Sequence, residues 1–404
     1  MTAYLNALGL ICALGRGKQQ VAAALFAGDG SGMRPQTGWV PERTLPVGAV
    51  EGPLAELPAE PVAQATRNNQ LLLTAALEIA DEVQAAIARF GHARIAVVLG
   101  TSTTGIEEAS RGVADYLEQG QFPASYSYHQ QELVAPAAFL SERLQLSGPS
   151  YVISTACTSS ARALLSARRL LDLGLCDAVL CGGVDSLCRL TLNGFAALDA
   201  VADQRCNPFS RNRQGINIGE AAALFLMTRE PSGPHAIALL GAGASSDAHH
   251  ISAPDPQGLG AQAAMRAALR DAGLEAGEID YLNLHGTATQ HNDSMESLAV
   301  QALFPFGVPC SSSKPLTGHT LGAAGALEAA FCWLSLNDAE GHLPPHLWDG
   351  EPDPACAPLN LVGPGACLPG AQRMMSNSFA FGGSNVSLIL GRAAAPNAQE
   401  RPHD

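Results

Sequence analysis

Tyr151-Val-Ile-Ser-Thr-Ala-Cys157-Thr-Ser-Ser-Ala-Arg-Ala-Leu-Leu165 begins as a β-branched strand, passes through small residues and continues as a helix with an apolar face. Such a strand-to-helix joint is the repeating unit of an α/β protein, in which buried strands alternate with crossover helices. On either side the same alternation recurs. Apolar runs predict strands at 94–99, 151–154, 178–181, 222–227, 236–240, 279–284 and 386–390, read as mainly parallel. Apolar residues at three- and four-residue spacing predict helices at 70–88, 158–173, 258–272 and 321–336. A Pro/Gly-bearing break at 230–235 separates two halves of similar build, 1–235 and 236–404. The tail, 393–404, is expected to be frayed.

Composition agrees with a deeply buried α/β fold. The chain has 404 residues, of which 47% are hydrophobic and 15% charged, too apolar for disorder and long enough for one large or two fused cores. Its 23 Lys and Arg against 37 Asp and Glu leave a formal charge of −14, which excludes a general nucleic-acid binder. No stretch approaches the roughly 18 to 20 apolar residues of a membrane-spanning helix. The opening apolar run has no basic leader and reads as a first core strand, so a soluble, cytoplasmic protein is expected. The ten Cys are scattered without zinc-type spacing and read as reduced thiols.

Four segments carry chemistry. Cys157 falls at a helix start, where unpaired N–H groups and the helix dipole favour a thiolate and can receive an oxyanion. It reads either as a nucleophile or as a buried Cys at a tight turn. In Leu282-Asn-Leu-His285-Gly-Thr-Ala-Thr289 a strand ends in His, at the sheet edge where α/β proteins place ligands; His285 is either structural or catalytic. Ser311-Ser-Ser-Lys314-Pro-Leu-Thr-Gly-His319 puts Lys and a second His into a loop of small residues, and a Lys in that apolar setting needs a partner. Asn377-Ser-Phe-Ala-Phe-Gly-Gly-Ser-Asn385 has paired Gly residues that can aim amides into a cavity.

Taken together and in this order, the four segments resemble the β-ketoacyl-[acyl carrier protein] synthases, elongating condensing enzymes of the thiolase superfamily. The similarity extends from Gly9-Leu-Ile-Cys-Ala-Leu-Gly15 to Phe381-Gly-Gly-Ser-Asn385, and includes Gly182-Gly-Val-Asp185, Asn207-Pro-Phe-Ser210, Gly219-Glu-Ala-Ala222 and the segment from Ala248 to Pro256. The resemblance implies a thiolase-like fold, two βαβ-rich halves packed as a five-layer αβαβα sandwich with the site at their junction. It implies Cys157 as the acyl-accepting nucleophile, His285 and His319 as the decarboxylation pair, Lys314 as the orienting charge and Glu296 as its carboxylate partner. Cys157 and Phe381 would supply the oxyanion-hole N–H groups. Thr287, Thr289 and Ser252 resemble pantetheine-binding residues, Phe379 and Phe381 a gate, Ile106 an acyl-pocket residue and Asn385 part of the glycine-rich substrate loop. Glu328 resembles a position linked to a structural monovalent cation. The implied reaction needs no metal or redox cofactor.

The implied partners are an acyl carrier protein with pantetheine-linked acyl and malonyl groups and a second subunit, either a copy or a chain-length-factor-like chain. Departures from the family pattern are Ala380 and Ser384 in the loop, Asn207 and Ser210 near the site, and a sparse basic cluster around Arg67. A −14 chain needs a local positive patch to dock an acidic carrier; Arg43, Arg67, Arg205, Arg211 and Arg213 are the candidates. The altered set points to a dedicated carrier, as in an aryl-polyene-like pathway. A non-catalytic chain-length factor shares the fold but typically lacks the nucleophilic Cys. A biosynthetic thiolase would lack the loop from Lys314 to His319, and a cysteine hydrolase needs delivered water. A binding module would leave the His and Lys residues without a reason to coincide.

Overall fold

The computed structural model describes residues 2–58 and 60–392; the tail expected to fray lies outside them. The opening apolar run forms β1 (Ala3–Cys12). It is followed by β2 (Ile95–Gly100), β3 (Ser150–Ile153), β4 (Ala178–Asp185) and β5 (Ala221–Thr228). After residue 236 come β6 (Ile237–Ser246), β7 (Tyr281–Asn283), β8 (Pro309–Ser311), β9 (Asn360–Leu361), β10 (Arg373–Phe379) and β11 (Ser384–Arg392). The strand order is β9-β8-β7-β10-β11-β6-β1-β5-β4-β2-β3.

That order contains a repeat. From the centre outward, β1-β5-β4-β2-β3 and β6-β11-β10-β7-β8 use the same chain sequence and the same strand senses, two antiparallel pairings followed by two parallel ones. The two sheets meet where Ala3 and Tyr4 of β1 pair with Leu239 and Ala238 of β6. The central strands are therefore antiparallel, a correction to the parallel reading. Strands such as β4 and β5 are buried at every position, so their unbroken apolar runs carry no mark of direction.

Helices fill three layers around the sheets. On the outer face of the first sheet lie α1 (Arg67–Leu77), α2 (Ala80–Phe90) and, after α3 (Ile106–Gln119), α4 (Ala135–Arg143). Between the sheets runs α5 (Ser159–Asp172), followed in the chain by α6 (Arg189–Ala197). On the outer face of the second sheet lie α7 (Leu259–Ala272) and α8 (Gln290–Leu303); α9 (Ala324–Asn337) returns to the middle layer. Of the 14 residues of α9, 12 are buried, since it has apolar neighbours on both sides; its one acidic residue, Glu328, is itself buried against Lys314. Each large apolar side chain sealed there contributes about 1.5–3 kcal/mol.

The single helix expected over 70–88 is two, with Ile79 out of helical geometry at φ −121° and ψ 22° between them. Tertiary contact accounts for the break: the Glu78 carboxylate accepts the Leu10 N–H at 3.2 Å and lies 3.7 Å from Arg16. The first turn of the helix expected from 321 is a 3₁₀ turn, with α9 starting at Ala324. Helices α3 and α8 and strand β10 are further elements that the periodicity did not announce. Strand β10 reads Arg-Met-Met-Ser-Asn-Ser-Phe, a poor strand composition that is stabilised by pairing on both sides.

Candidate active site

Between β3 and α5 the chain turns within five residues. Ala156 takes φ +52°, and Ser159 Oγ accepts the Thr155 N–H at 2.9 Å while donating to the Ala156 carbonyl at 2.5 Å. Crowding explains the glycines opposite. A Cβ on Gly100 would come within 2.2 Å of Ser160 N, and one on Gly183 within 2.5 Å of Ser160 Cβ. The turn delivers Cys157 just ahead of α5, buried at its first turn.

The second half supplies the imidazoles. His285 follows β7, and its N–H and that of Gly286 each donate to the Glu296 carboxylate at 2.7 Å. Its carbonyl accepts from Lys314 Nζ, which also donates to Glu328 Oε1 at 2.5 Å. His319 is held by backbone on both sides, its N–H donating to Asn217 O at 2.7 Å and its carbonyl accepting from Gly219 N at 3.0 Å. Only glycine permits this approach, since a Cβ on Gly219 would sit 2.0 Å from Thr317 O.

These elements bring Cys157 Sγ to 2.9 Å from His319 Nε2. One donor atom each of Cys157, His285 and His319 falls within 4.8 Å of the others, and the two rings meet edge-on at 5.2 Å. The Nδ1 atoms of both rings are buried with no hydrogen-bond partner among the described residues. Burial, reinforced by the Lys314 charge, holds both imidazoles well below their ordinary pKa, so both are neutral. Burial also pushes the Cys157 thiol up to about 12, although Lys314 opposes it. This corrects the thiolate expected from the helix start: the resting sulfur carries its proton, against His319.

The trio lines a cavity of about 420 Å³. Thr287, Thr289, Ser252, Phe379, Phe381 and Asn385 all line it. The Thr287 and Thr289 hydroxyls are 3.0 Å apart across Ala288, which takes φ +64°. Phe381 lies 5.6 Å from Phe195 of α6, an aromatic neighbour that the sequence reading missed; its only signal was an aromatic on the apolar side of a short helix. Asn385 Nδ2 donates to Asp247 Oδ1 at 2.6 Å, fastening the glycine turn to the segment after β6.

Three expectations change. Glu296 does not partner Lys314; Glu328 does, and Glu296 instead anchors the backbone of His285, with burial pushing its carboxyl up to about 7. Ile106 begins α3 and does not line the cavity of this chain. Among the candidate docking cations, Arg213 is wholly buried and bound to Asp353, Ser210 O and Ser294 Oγ, while Arg67 forks onto the buried Glu220 at 2.8 and 2.5 Å. Arg43, Arg205 and Arg211 remain at the surface or partly exposed.

Fold and site together define a thiolase-fold protein with a Cys-His-His centre between two sheets. Comparison with known proteins agrees: the family profile "Beta-ketoacyl synthase, N-terminal domain" matches residues 47–232 and "Beta-ketoacyl synthase, C-terminal domain" matches 237–347. The chain is 32% identical over 341 residues to 3-oxoacyl-[acyl-carrier-protein] synthase 2 of Staphylococcus aureus, covering 80% of this chain and 83% of that protein. It is 37% identical over 271 residues to Nodulation protein E of Rhizobium meliloti, a match that spans 63% of this chain and 65% of that relative's length, a little under two thirds. A chain of the solved complex of the ketosynthase ApeO with its chain length factor ApeC from Xenorhabdus doucetiae superposes with a TM-score of 0.92 at 46% identity, covering 97% of this chain and 98% of that one. The chain belongs to the β-ketoacyl synthase family.

Proposed function

We propose that the protein moves an acyl group from carrier-protein pantetheine onto Cys157 and condenses it with malonyl carrier protein, releasing carbon dioxide. The observation that carries this reading is the buried Cys157–His319 contact with His285 beside it, all three lining one cavity. In the first step Sγ attacks the thioester carbonyl while the thiol proton passes to the departing pantetheine sulfur, with His319 Nε2–H donating to Sγ. The oxyanion is received by the N–H groups of Cys157 and Phe381, and pantetheine leaves as the thiol. In the second step the carboxylate carbon–carbon bond of malonyl breaks, and its electron pair remains as an enolate. Neutral imidazoles with Nε2–H directed at the enolate oxygen stabilise it. Its carbon attacks the acyl-Cys157 carbonyl, and the released thiolate is reprotonated from solvent. Lys314 fixes the His285 carbonyl and disfavours protonation of either ring.

The division at 230–235 is proposed as the boundary between a half carrying the nucleophile and a half carrying His285, Lys314 and His319. An acidic acyl carrier protein in the cytoplasm is the proposed partner, docking on Arg43, Arg205 and Arg211. Similarity to the complex of ApeO with its chain length factor supports a heterodimer, with a homodimer as the other assembly, and is compatible with the aryl-polyene-like pathway proposed from the sequence. Cys157 argues against this chain being the non-catalytic subunit.

The test is intact-protein mass after incubation with saturated, polyunsaturated and aryl-primed acyl carrier proteins, then with malonyl carrier protein. An acyl adduct is expected that disappears as ketoacyl product forms, and that is absent from Cys157→Ala with its fold retained. Persistent condensation by Cys157→Ala would remove the nucleophile. Unchanged carbon dioxide release from both His285→Ala and His319→Ala would remove the enolate role.

A further inference from the structure

Cys157 and Phe381 stand 224 positions apart and on different elements, yet their N–H groups must converge on one oxygen for the oxyanion hole of the proposed reaction to exist. No acceptor takes the Phe381 N–H among the described residues. The two elements are joined at Ser384, the first residue after the glycine turn. Arg162, on the helix that Cys157 precedes, places Nε at 3.1 Å and Nη2 at 2.9 Å from Ser384 Oγ. Thr158 Oγ1, next to Cys157, lies 3.1 Å from the same oxygen. A second reach, Arg162 Nη2 to Ser245 O at 3.4 Å, ties in β6, whose Ser246 pairs with Ser384.

Arg162 is half-buried and has no carboxylate partner among the described residues, an arrangement that stability alone does not favour. Two guanidinium N–H groups converge on a single serine hydroxyl. Thr158 Oγ1 adds a single contact to the same hydroxyl at 3.1 Å, while the Ser384 carbonyl receives the Ala380 N–H at 2.8 Å and so closes the loop bearing Phe381. Displacement of the helix start relative to the turn must therefore break the Arg162 fork.

We propose that Arg162 is a positioning residue, which through Ser384 registers the Phe381 N–H against Cys157. This rests on the condensation reading above, and it separates the two half-reactions: acyl transfer uses the oxyanion hole, whereas malonyl decarboxylation uses the imidazoles, which the fork does not touch.

The experiment uses the full chain with octanoyl-pantetheine and malonyl-pantetheine as probes, following acylation of Cys157 by intact mass and carbon dioxide release without an acyl donor. Arg162→Met and Ser384→Ala should each slow acylation by about 10- to 100-fold, with carbon dioxide release within about twofold of the unaltered protein. Ser384→Thr keeps the hydroxyl and should restore acylation, and the Arg162→Met, Ser384→Ala pair should be no slower than the slower single variant. Equal loss in both half-reactions, or additive effects in the pair, would overturn the proposal. Absence of any adduct or carbon dioxide from the unaltered protein would overturn the condensation reading itself, and the registration with it.

Discussion

At the scale of single residues, the site is built from groups that burial keeps neutral around one buried ion pair. Cys157, pushed up to about 12, is a thiol facing a neutral His319. Below that value the thiolate fraction rises about tenfold per pH unit. Iodoacetamide inactivation should accordingly accelerate steadily from pH 6 to 9; a plateau beginning near pH 6 would instead reveal a thiolate–imidazolium pair. Lys314 and Glu328 supply the charge. A carboxyl whose folded pKa is raised stabilises the fold below its ordinary pKa, and that contribution is lost as pH climbs through the folded value; Glu328 is raised by burial and lowered in part by Lys314. Lys314→Met removes the compensating charge, raising Glu328 further. The variant should lose about 3–5 kcal/mol at pH 8 and less at pH 5, where Glu328 takes up a proton. Urea unfolding at both pH values measures this, and equal losses would contradict it.

At the scale of elements, glycines determine which backbones touch. The chain beside His319 lies against residues 217–219, and Gly48 and Gly219 would each drive a Cβ to within 1.9 and 2.0 Å of Thr317 O. Gly219→Ala must push the His319 loop outward. Overpacking of this kind costs about 1–3 kcal/mol, and displacement of His319 should slow both half-reactions at least tenfold. Thermal unfolding and the two rates report it together; a stable variant with both rates intact would mean that the close approach does not set His319. The same logic governs the middle layer, where a Cβ on Gly325 would meet Ala161 Cβ at 2.7 Å and Ala326 N donates to Ser160 Oγ at 2.9 Å, so the first turns of α5 and α9 meet.

For the molecule as a whole, the repeated strand order places the start of α5 and the loop before α9 at one junction, so that neither half alone holds the catalytic set. One surface feature bears on assembly. Around α3, Tyr116, Phe122 and Tyr126 stack at 4.5 and 4.2 Å, and the neighbouring Leu117 is 78% exposed. Exposed apolar surface of this kind is where the proposed second subunit is expected to dock. Leu117→Arg should weaken the proposed dimer at least tenfold in sedimentation or light scattering while leaving the fold intact; unchanged association would place the interface elsewhere.

Much of this was legible in the chain. Strand-to-helix periodicity follows from local apolar spacing, and the four chemical segments announce themselves because Cys, His, Lys and paired Gly stand where small residues surround them. Strand direction was not, because a strand buried on both faces has the same apolar run whichever way it points. Nor was the partner of Lys314: Glu296 and Glu328 both lie on nearby helices, and only packing decides which carboxylate reaches Nζ and which turns to the His285 backbone. The protonation of Cys157 likewise depends on how much protein covers the sulfur, which no local stretch encodes. Local sequence specifies periodicity and residue type; the ion pair of Lys314 with Glu328 arises only from packing within the second half, and the desolvated contact of Cys157 with His319, 162 positions away, only when the two halves close on each other.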